Sequence, residues 1–134
     1  MAIPSGSGSE VLRNAAINAN NAATAQVDWG AATGTGSVRS SGNTAGVVAV
    51  PANVIITVLN ITCTAGATHT TIYGYIDWQG SGTEIKIFHS PTLTDNTTFV
   101  YSEKIVLRTG DILKLYNNAS SCDWSVNFIY QDWT

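Results

Sequence analysis

Strand-forming residues dominate the segment Val54-Ile55-Ile56-Thr57-Val58-Leu59-Asn60-Ile61-Thr62-Cys63, which is the clearest indication of the fold class. It is rich in β-branched side chains, and its second half alternates between apolar and polar residues, which is typical of a half-buried strand. Similar short runs continue to the end of the chain, separated by residues that favour turns. The pattern predicts an all-β protein.

Eight strands are predicted in the part of the chain after Gly46. They lie near residues 46–50, 54–64, 70–78, 83–88, 97–101, 104–107, 112–116 and 122–131. Residues 79–82 and 108–111 each separate two apolar runs and predict hairpin turns. Gly74, inside a strand, indicates a bulge or a close approach of a neighbouring group. We therefore expect an antiparallel β-sandwich of about eight strands, resembling a jelly roll.

The first part of the chain has a different composition. Residues 1–9 are rich in Gly and Ser, residues 10–27 are rich in Ala and Asn, and residues 30–46 are glycine-rich. The middle piece favours either a weak helix or an extended segment, because asparagine is a poor helix former. We divide the chain into an arm and linker over 1–45 and a sandwich domain over 46–134. Deletion of residues 1–27 is expected to leave the sandwich folded.

Length, charge and hydropathy exclude several function classes. The chain has 134 residues, 11% of them charged, and a formal net charge of −3. Its six basic residues are scattered, whereas nucleic-acid binding needs a basic stripe that neutralises several phosphates. No apolar run reaches the roughly 20 residues of a membrane helix. The first residues lack the features of a signal peptide, so we expect synthesis in a cytoplasm, with no nucleic-acid or membrane partner.

The two cysteines, Cys63 and Cys122, admit two interpretations. They are either reduced residues of the core, where free cysteine is common, or a single disulfide between an early strand and the last one. Two cysteines alone do not make a metal site.

Catalytic patterns are missing from the sequence. The nine carboxylates show no spacing that singles out an acid/base pair, and neither His69 nor His89 lies in the context of a nucleophile elbow. We therefore predict that the chain is not an enzyme and needs no cofactor or metal.

The aromatic residues are the strongest candidates for a binding surface. Trp and Tyr are favoured at the centres of protein interfaces, and exposed rings beside amides and carboxylates suit sugars. Burial in the core is the third interpretation. The candidates for an interface or a glycan site are Tyr73, Tyr75, Trp78, Trp124 and Trp133.

Four segments resemble a group of small virion proteins of tailed bacteriophages. They are Ala2-Ile3-Pro4-Ser5-Gly6-Ser7-Gly8-Ser9-Glu10-Val11-Leu12-Arg13, Val58-Leu59-Asn60-Ile61-Thr62-Cys63, Lys104-Ile105-Val106-Leu107-Arg108-Thr109-Gly110-Asp111 and Tyr130-Gln131-Asp132-Trp133-Thr134. The resemblance covers both ends and the predicted β-domain, but not residues 30–46. The four segments are structural motifs, and the resemblance implies no catalytic residue in this chain.

The resemblance implies a component present in many copies in a phage particle. We expect a capsid decoration (cement) protein that binds the major capsid protein on the outer surface of the shell and also associates with itself, as a trimer or a dimer. The expected capsid-binding anchors of the arm are Ile3, Val11, Leu12 and Ile17. The alternative is a neck, collar, tail or fibre component with a host-surface or glycan-binding role.

Overall fold

A computed structural model describes residues 8–19, 23–29, 37–40, 47–66, 70–118 and 122–133. These ranges contain one 3-10 turn, Trp78–Gly80, and ten strands. The strands are β1 (Ser9–Ala19), β2 (Ala23–Gln26), β3 (Ser37–Ser40), β4 (Val54–Ala65), β5 (Thr70–Asp77), β6 (Glu84–Leu93), β7 (Thr98–Tyr101), β8 (Ile105–Leu107), β9 (Ile112–Asn117) and β10 (Cys122–Asp132). The prediction of an all-β protein is confirmed.

The strands form two sheets. The larger sheet has the order β3-β1-β10-β4-β7, with β8 also paired to β4, and the smaller sheet has the order β2-β9-β5-β6. All pairs are antiparallel except β1 with β3, which is parallel. The chain passes repeatedly from one sheet to the other, and β1 pairs with the last strand. This arrangement is the predicted jelly-roll-like sandwich.

The core lies between the sheets because side chains alternate between the two faces of each strand. On β9, Leu113 and Leu115 are fully buried, whereas Lys114 between them is only partly covered. The ring of Trp29 packs edge-on against Phe128, with centroids 4.9 Å apart. Such edge-to-face contacts are favourable beyond the area that they bury. A second aromatic group surrounds Phe88 and comprises Phe99, Tyr101 and Trp124.

The N-terminal strand differs from the predicted arm. The extended alternative is correct for residues 9–19, but β1 pairs with β10 along its whole length, from Ser9 opposite Asp132 to Ala19 opposite Cys122. β2 likewise pairs with β9. These described parts of residues 1–45 therefore belong to the two sheets of the sandwich. The sequence pattern is weak here because alanine fills many positions and contrasts little with its neighbours.

Residues 47–50 correct a second expectation, because they form no strand. Their backbone is instead fixed by hydrogen bonds to other loops. Trp29 N donates to Val47 O at 2.8 Å, Val50 N donates to Asp111 O at 3.0 Å, and Gly110 N donates to Val50 O at 2.8 Å. The apolar residues that suggested a strand differ in burial, since Val50 is 2% exposed and lies in the core, whereas Val47 is 41% exposed.

The two predicted hairpin turns have different outcomes. Residues 79–82 connect β5 to β6, which pair with each other, so this hairpin is confirmed. Residues 108–111 instead connect β8, in the larger sheet, to β9, in the smaller sheet. The turn residues specify a reversal of the chain, but they do not specify which strand becomes the partner.

Gly74 has both properties that the sequence suggested. The register between β5 and β6 shifts between Gly74 and Tyr75, as in a bulge. A Cβ atom at Gly74 would collide with the ring of Phe88. The glycine therefore lets an aromatic side chain lie directly against the strand backbone.

Candidate functional site

On β1, β10, β4, β7 and β8, where the structure describes the side chains, the outer face of the larger sheet carries almost no charge. Directly opposed residues of paired strands project from the same face. Three such rows cross the sheet, and together they form what we call the neutral face: Leu12, Ile129, Thr57 and Val106; Asn14, Asn127 and Asn60; Ala16, Ser125, Thr62 and Val100. The nearest charged residues on the flanking rows, Glu10 and Asp123, lie toward opposite ends of the strands.

A ladder of amides holds the middle of the neutral face. Asn14 Nδ2 donates to Asn127 Oδ1 at 2.7 Å, and Asn127 Nδ2 donates to Asn60 Oδ1 at 2.8 Å. Asn14 Nδ2 also lies 2.9 Å from Ser125 Oγ. These bonds fix side chains that would otherwise rotate, so the surface is ordered before any partner arrives.

Apolar side chains project beside this ladder. Leu12 is 68% exposed, Val106 is 61% exposed and Val100 is 58% exposed. These values are high for residues in strands of a packed sandwich. The neutral face thus combines exposed apolar groups with neutral hydrogen-bonding groups, which is a composition suited to contact with another protein.

The outer face of the smaller sheet has a different character. An open depression of about 380 Å³ is lined by Tyr73, Tyr75, Tyr116, Glu84 and Lys86, which we call the tyrosine cluster. The rings of Tyr73 and Tyr116 are stacked, with centroids 4.9 Å apart and an angle of 16° between their planes. Two further contacts hold Tyr73.

These contacts come from strand β6. The ring of His89 lies 4.7 Å from that of Tyr73, and Lys86 Nζ lies 4.3 Å from the Tyr73 centroid. An ammonium group at this distance is attracted to the face of the ring. Tyr73 is therefore surrounded by Tyr116, His89 and Lys86, and its position in the depression is fixed.

A network of ion pairs borders the tyrosine cluster. Lys114 Nζ lies 3.2 Å from Asp77 Oδ2 and 3.1 Å from Glu84 Oε1. Burial alone would lower the pKa of Lys114, but the hydrogen bonds to Glu84 and Asp77 outweigh it and raise the pKa above its ordinary value. Lys114 is therefore a cation bound to two carboxylates.

The five predicted aromatic residues do not form one surface. Tyr73 and Tyr75 lie together in the tyrosine cluster, as a binding surface requires. Trp124 is 2% exposed and belongs to the core, so its assignment to a surface is wrong. Trp78 is 42% exposed at the turn after β5, beneath the guanidinium of Arg108 at 4.6 Å. Trp133 is half-buried against Gly8.

Three residues of the tyrosine cluster were not singled out by the sequence analysis: Tyr116, Glu84 and Lys86. The sequence did contain a partial signal for these residues. Each strand has two polar or aromatic residues at alternate positions, which project from the same face: 73 and 75, 84 and 86, and 114 and 116. Only the register shows that these positions meet.

The predicted arm anchors also separate. Ile17 is 2% exposed and contributes to the core, which corrects its assignment as a capsid contact. Val11 and Leu12 are 39% and 68% exposed, and Leu12 lies on the neutral face. Ile3 lies outside the residues that the structure describes.

The cysteines are adjacent but not bridged. Cys63 and Cys122 are both fully buried and free. Cys63 lies opposite Trp124, two residues from Cys122 on the neighbouring strand. The hydrogen bond between the two thiols, together with burial, raises the pKa of Cys63 above its ordinary value of 9.0. The structure therefore corresponds to the reduced alternative.

Within the described ranges, no group of three or more His, Cys, Asp or Glu residues is arranged to hold a metal ion. Of the two histidines, His89 contacts Tyr73, and His69 lies outside these ranges. No helix in the part of the chain that the structure describes has the length and hydrophobicity needed to span a membrane. Neither a comparison with protein-family models nor a comparison with curated proteins finds a match for the chain.

Proposed function

We propose that the chain is a structural virion protein of the capsid decoration type, which binds the outside of a phage shell through the neutral face. The resemblance of its terminal and strand motifs to small phage virion proteins supplies the class of protein. The observation that carries the proposal is the neutral face itself, a wide, ordered and nearly uncharged surface on one side of the sandwich.

The distribution of charge supports this orientation. Interface cores are depleted of charged residues, because each charge loses its water when the partner binds. The outer face of the smaller sheet, by contrast, carries four charged side chains. They are Asp77 on β5, Glu84 and Lys86 on β6, and Lys114 on β9. The free energy needed to remove water is therefore lower for the neutral face than for the outer face of the smaller sheet.

The neutral face supplies about half of a contact of standard size. Its three rows, each two residues deep, cover about 20 by 19 Å at ~3.3 Å per residue and ~4.8 Å per strand. The resulting ~380 Å² compares with the ~800 Å² that each partner contributes to an interface of standard size, so the proposal requires further contacts from residues around the neutral face. Self-association as a trimer or dimer and repetition of the contact over the shell would add avidity.

The fold is compatible with this role but does not specify it. Jelly rolls occur in viral capsid proteins and in lectins, so the architecture alone does not determine the function. The partner in the proposal is the major capsid protein, and the proposal assigns no catalytic step to the chain. Val11 and Leu12 remain candidate contacts of the N-terminal segment, and Ile3 remains a predicted one.

Binding to shells that lack the protein tests the proposal. Val106→Lys and Val100→Lys each place a charge among the exposed apolar groups of the neutral face, on its outermost strands, and we expect either variant to lose co-sedimentation with the shells. Ile85→Lys is the matched control, because Ile85 is 48% exposed but lies on the smaller sheet. Retained binding by both neutral-face variants would refute docking through this face.

A further inference from the structure

Tyr75 occupies a special position in the tyrosine cluster. It lies between two lysines, since it is opposite Lys86 on β6 and opposite Lys114 on β9. Both lysines are held away from it. Lys86 Nζ lies over the ring of Tyr73, at 4.3 Å from its centroid, and Lys114 Nζ binds the carboxylates of Asp77 and Glu84.

The ring of Tyr75 is consequently left for a ligand. In the part of the chain that the structure describes, the ring and cation contacts on this face involve Tyr73, Tyr116, His89 and Lys86, and none involves Tyr75. The contacts of Tyr73 with its neighbours build one wall of the depression. Tyr75 supplies an aromatic surface beside that wall.

Hydrogen-bond donors and hydrogen-bond acceptors both lie around the ring of Tyr75. Glu84 supplies carboxylate acceptors, Lys86 supplies ammonium donors, and the phenols of Tyr73 and Tyr116 can both donate and accept. The two lysines are balanced by Glu84 and Asp77, so these four side chains have no net charge. Such a site favours a neutral ligand that has many hydroxyl groups and one apolar surface.

We propose that the tyrosine cluster binds a neutral hexopyranose unit of a carbohydrate. The C–H surface of the sugar ring packs on Tyr75, and its hydroxyls bond to Glu84 and Lys86. The volume of about 380 Å³ lies within the range of roughly 300–1,000 Å³ that is common for small-ligand sites.

Two other aromatic-binding ligands fit the site less well. A quaternary ammonium group would enter an aromatic cage, but Lys86 already places a positive charge on the Tyr73 ring and would repel it. A nucleotide base would stack on Tyr75, but its phosphate would meet Glu84 and Asp77 as well as the lysines. A neutral sugar has neither conflict.

This site is independent of the proposed docking to a shell, because it lies on the opposite outer face of the sandwich. A protein bound through the neutral face would present the tyrosine cluster to the surrounding medium. Repetition over a particle would make weak binding to a polymeric glycan effective. A test on the free protein therefore separates the sugar site from the shell contact.

Amide and side-chain NMR spectra of the labelled full chain provide that test. The probes are the methyl pyranosides of glucose, galactose, mannose, rhamnose and N-acetylglucosamine. We expect at least one of them to shift signals of Tyr73, Tyr75 and Lys86. Tyr75→Ala should weaken this binding by about tenfold, which corresponds to about 1.4 kcal/mol, because the aromatic surface under the sugar ring is lost.

Three further variants complete the design. Tyr75→Phe keeps the ring and should retain binding. Glu84→Gln keeps the shape of the site, removes the carboxylate and should also weaken binding, which covers the case in which Tyr75→Ala does not fold. Glu103→Gln, an exposed position between β7 and β8 and outside both proposed sites, is the control and should leave glycoside binding unchanged. The proposal is overturned if none of the glycosides shifts the cluster, if tetramethylammonium shifts it in their place, or if folded Tyr75→Ala binds as well as the unmodified chain.

Discussion

At the scale of single residues, buried carboxylates and ion pairs hold the loops that the sandwich needs. Asp111 is 3% exposed, and its two oxygens accept hydrogen bonds from Gln79 N and Arg108 N, both at 3.0 Å. It thereby joins the turn after β5 to the turn before β9. Gly110, with φ of +90°, lies against the backbone of Gln79 and makes this close contact possible.

Asp111→Ala should lower the free energy of unfolding by about 2 kcal/mol, because two backbone N–H groups in partly buried hydrogen bonds lose a charged acceptor. Chemical denaturation measures this change. Glu103→Ala is the control, since Glu103 is exposed, and it should change stability by no more than about 0.5 kcal/mol. Equal effects of the two substitutions would show that the buried bonds of Asp111 contribute nothing specific.

Lys114 gives the stability a dependence on pH. Its pKa is raised in the folded state, although burial opposes the rise, because Glu84 and Asp77 bind the ammonium group. Its contribution is therefore fully present below the ordinary pKa of 10.5 and is lost as the pH rises through the folded value.

Lys114→Met should cost about 1 kcal/mol at neutral pH, since the pair is partly solvated. The difference in unfolding free energy between Lys114→Met and the unmodified chain should stay constant up to about pH 10 and shrink at higher pH. Denaturation curves measured at several pH values supply the comparison. The exposed Lys104→Met is the control, and a difference that grows above pH 10.5 would contradict the assigned direction of the shift.

At the scale of elements, the first strand is the most consequential difference from the expectation based on sequence. β1 and β2 occupy two positions of the jelly roll, beside β10 and β9. Without β1, β10 would keep β4 as a partner but lose its pairing along the whole of its other edge, and β9 would lose β2. Deletion of residues 1–27 is therefore expected to unfold the domain, rather than to leave it intact as the sequence suggested.

A pair of substitutions on β1 tests this integration. Ile17→Ala should destabilise the fold by about 3 kcal/mol, because the side chain is 2% exposed and its removal leaves a cavity. Leu12→Ala, on the same strand but 68% exposed, should cost only about 0.5 kcal/mol. Similar small costs for both would indicate that β1 is a detachable arm.

The predictability of each element follows from its chemistry. The strands after residue 54 were predicted to within a few residues, except for the C-terminal end of β6, because β-branched residues and turn residues both mark them. β1 and β2 were expected only as one alternative, an extended arm outside the sandwich, because alanine and asparagine give little contrast between the two faces of a strand. Only Tyr73 and Tyr75 of the tyrosine cluster were candidates from the sequence. Tyr116 lies beside Tyr73 because of the register between β5 and β9, which no local sequence pattern specifies.

At the scale of the whole molecule, the two outer faces of the sandwich have opposite chemistry. The neutral face has an amide ladder and exposed apolar side chains, and the smaller sheet carries the charged residues and the tyrosine cluster. A chain with this arrangement has one face suited to permanent contact with protein and another suited to reversible contact with a polar ligand. The proposed orientation on a shell uses both.

Copy number in purified particles distinguishes a decoration protein from a minor component of the virion. The proposed function requires that a phage encodes the chain, and quantitative mass spectrometry would compare the chain with the major capsid protein in the virions of that phage. A decoration protein should be present at one copy per capsid protein or at another simple fraction, such as one third. A few dozen copies or fewer would place it at the neck, collar, tail or fibre, and complete absence would contradict the assignment to the virion.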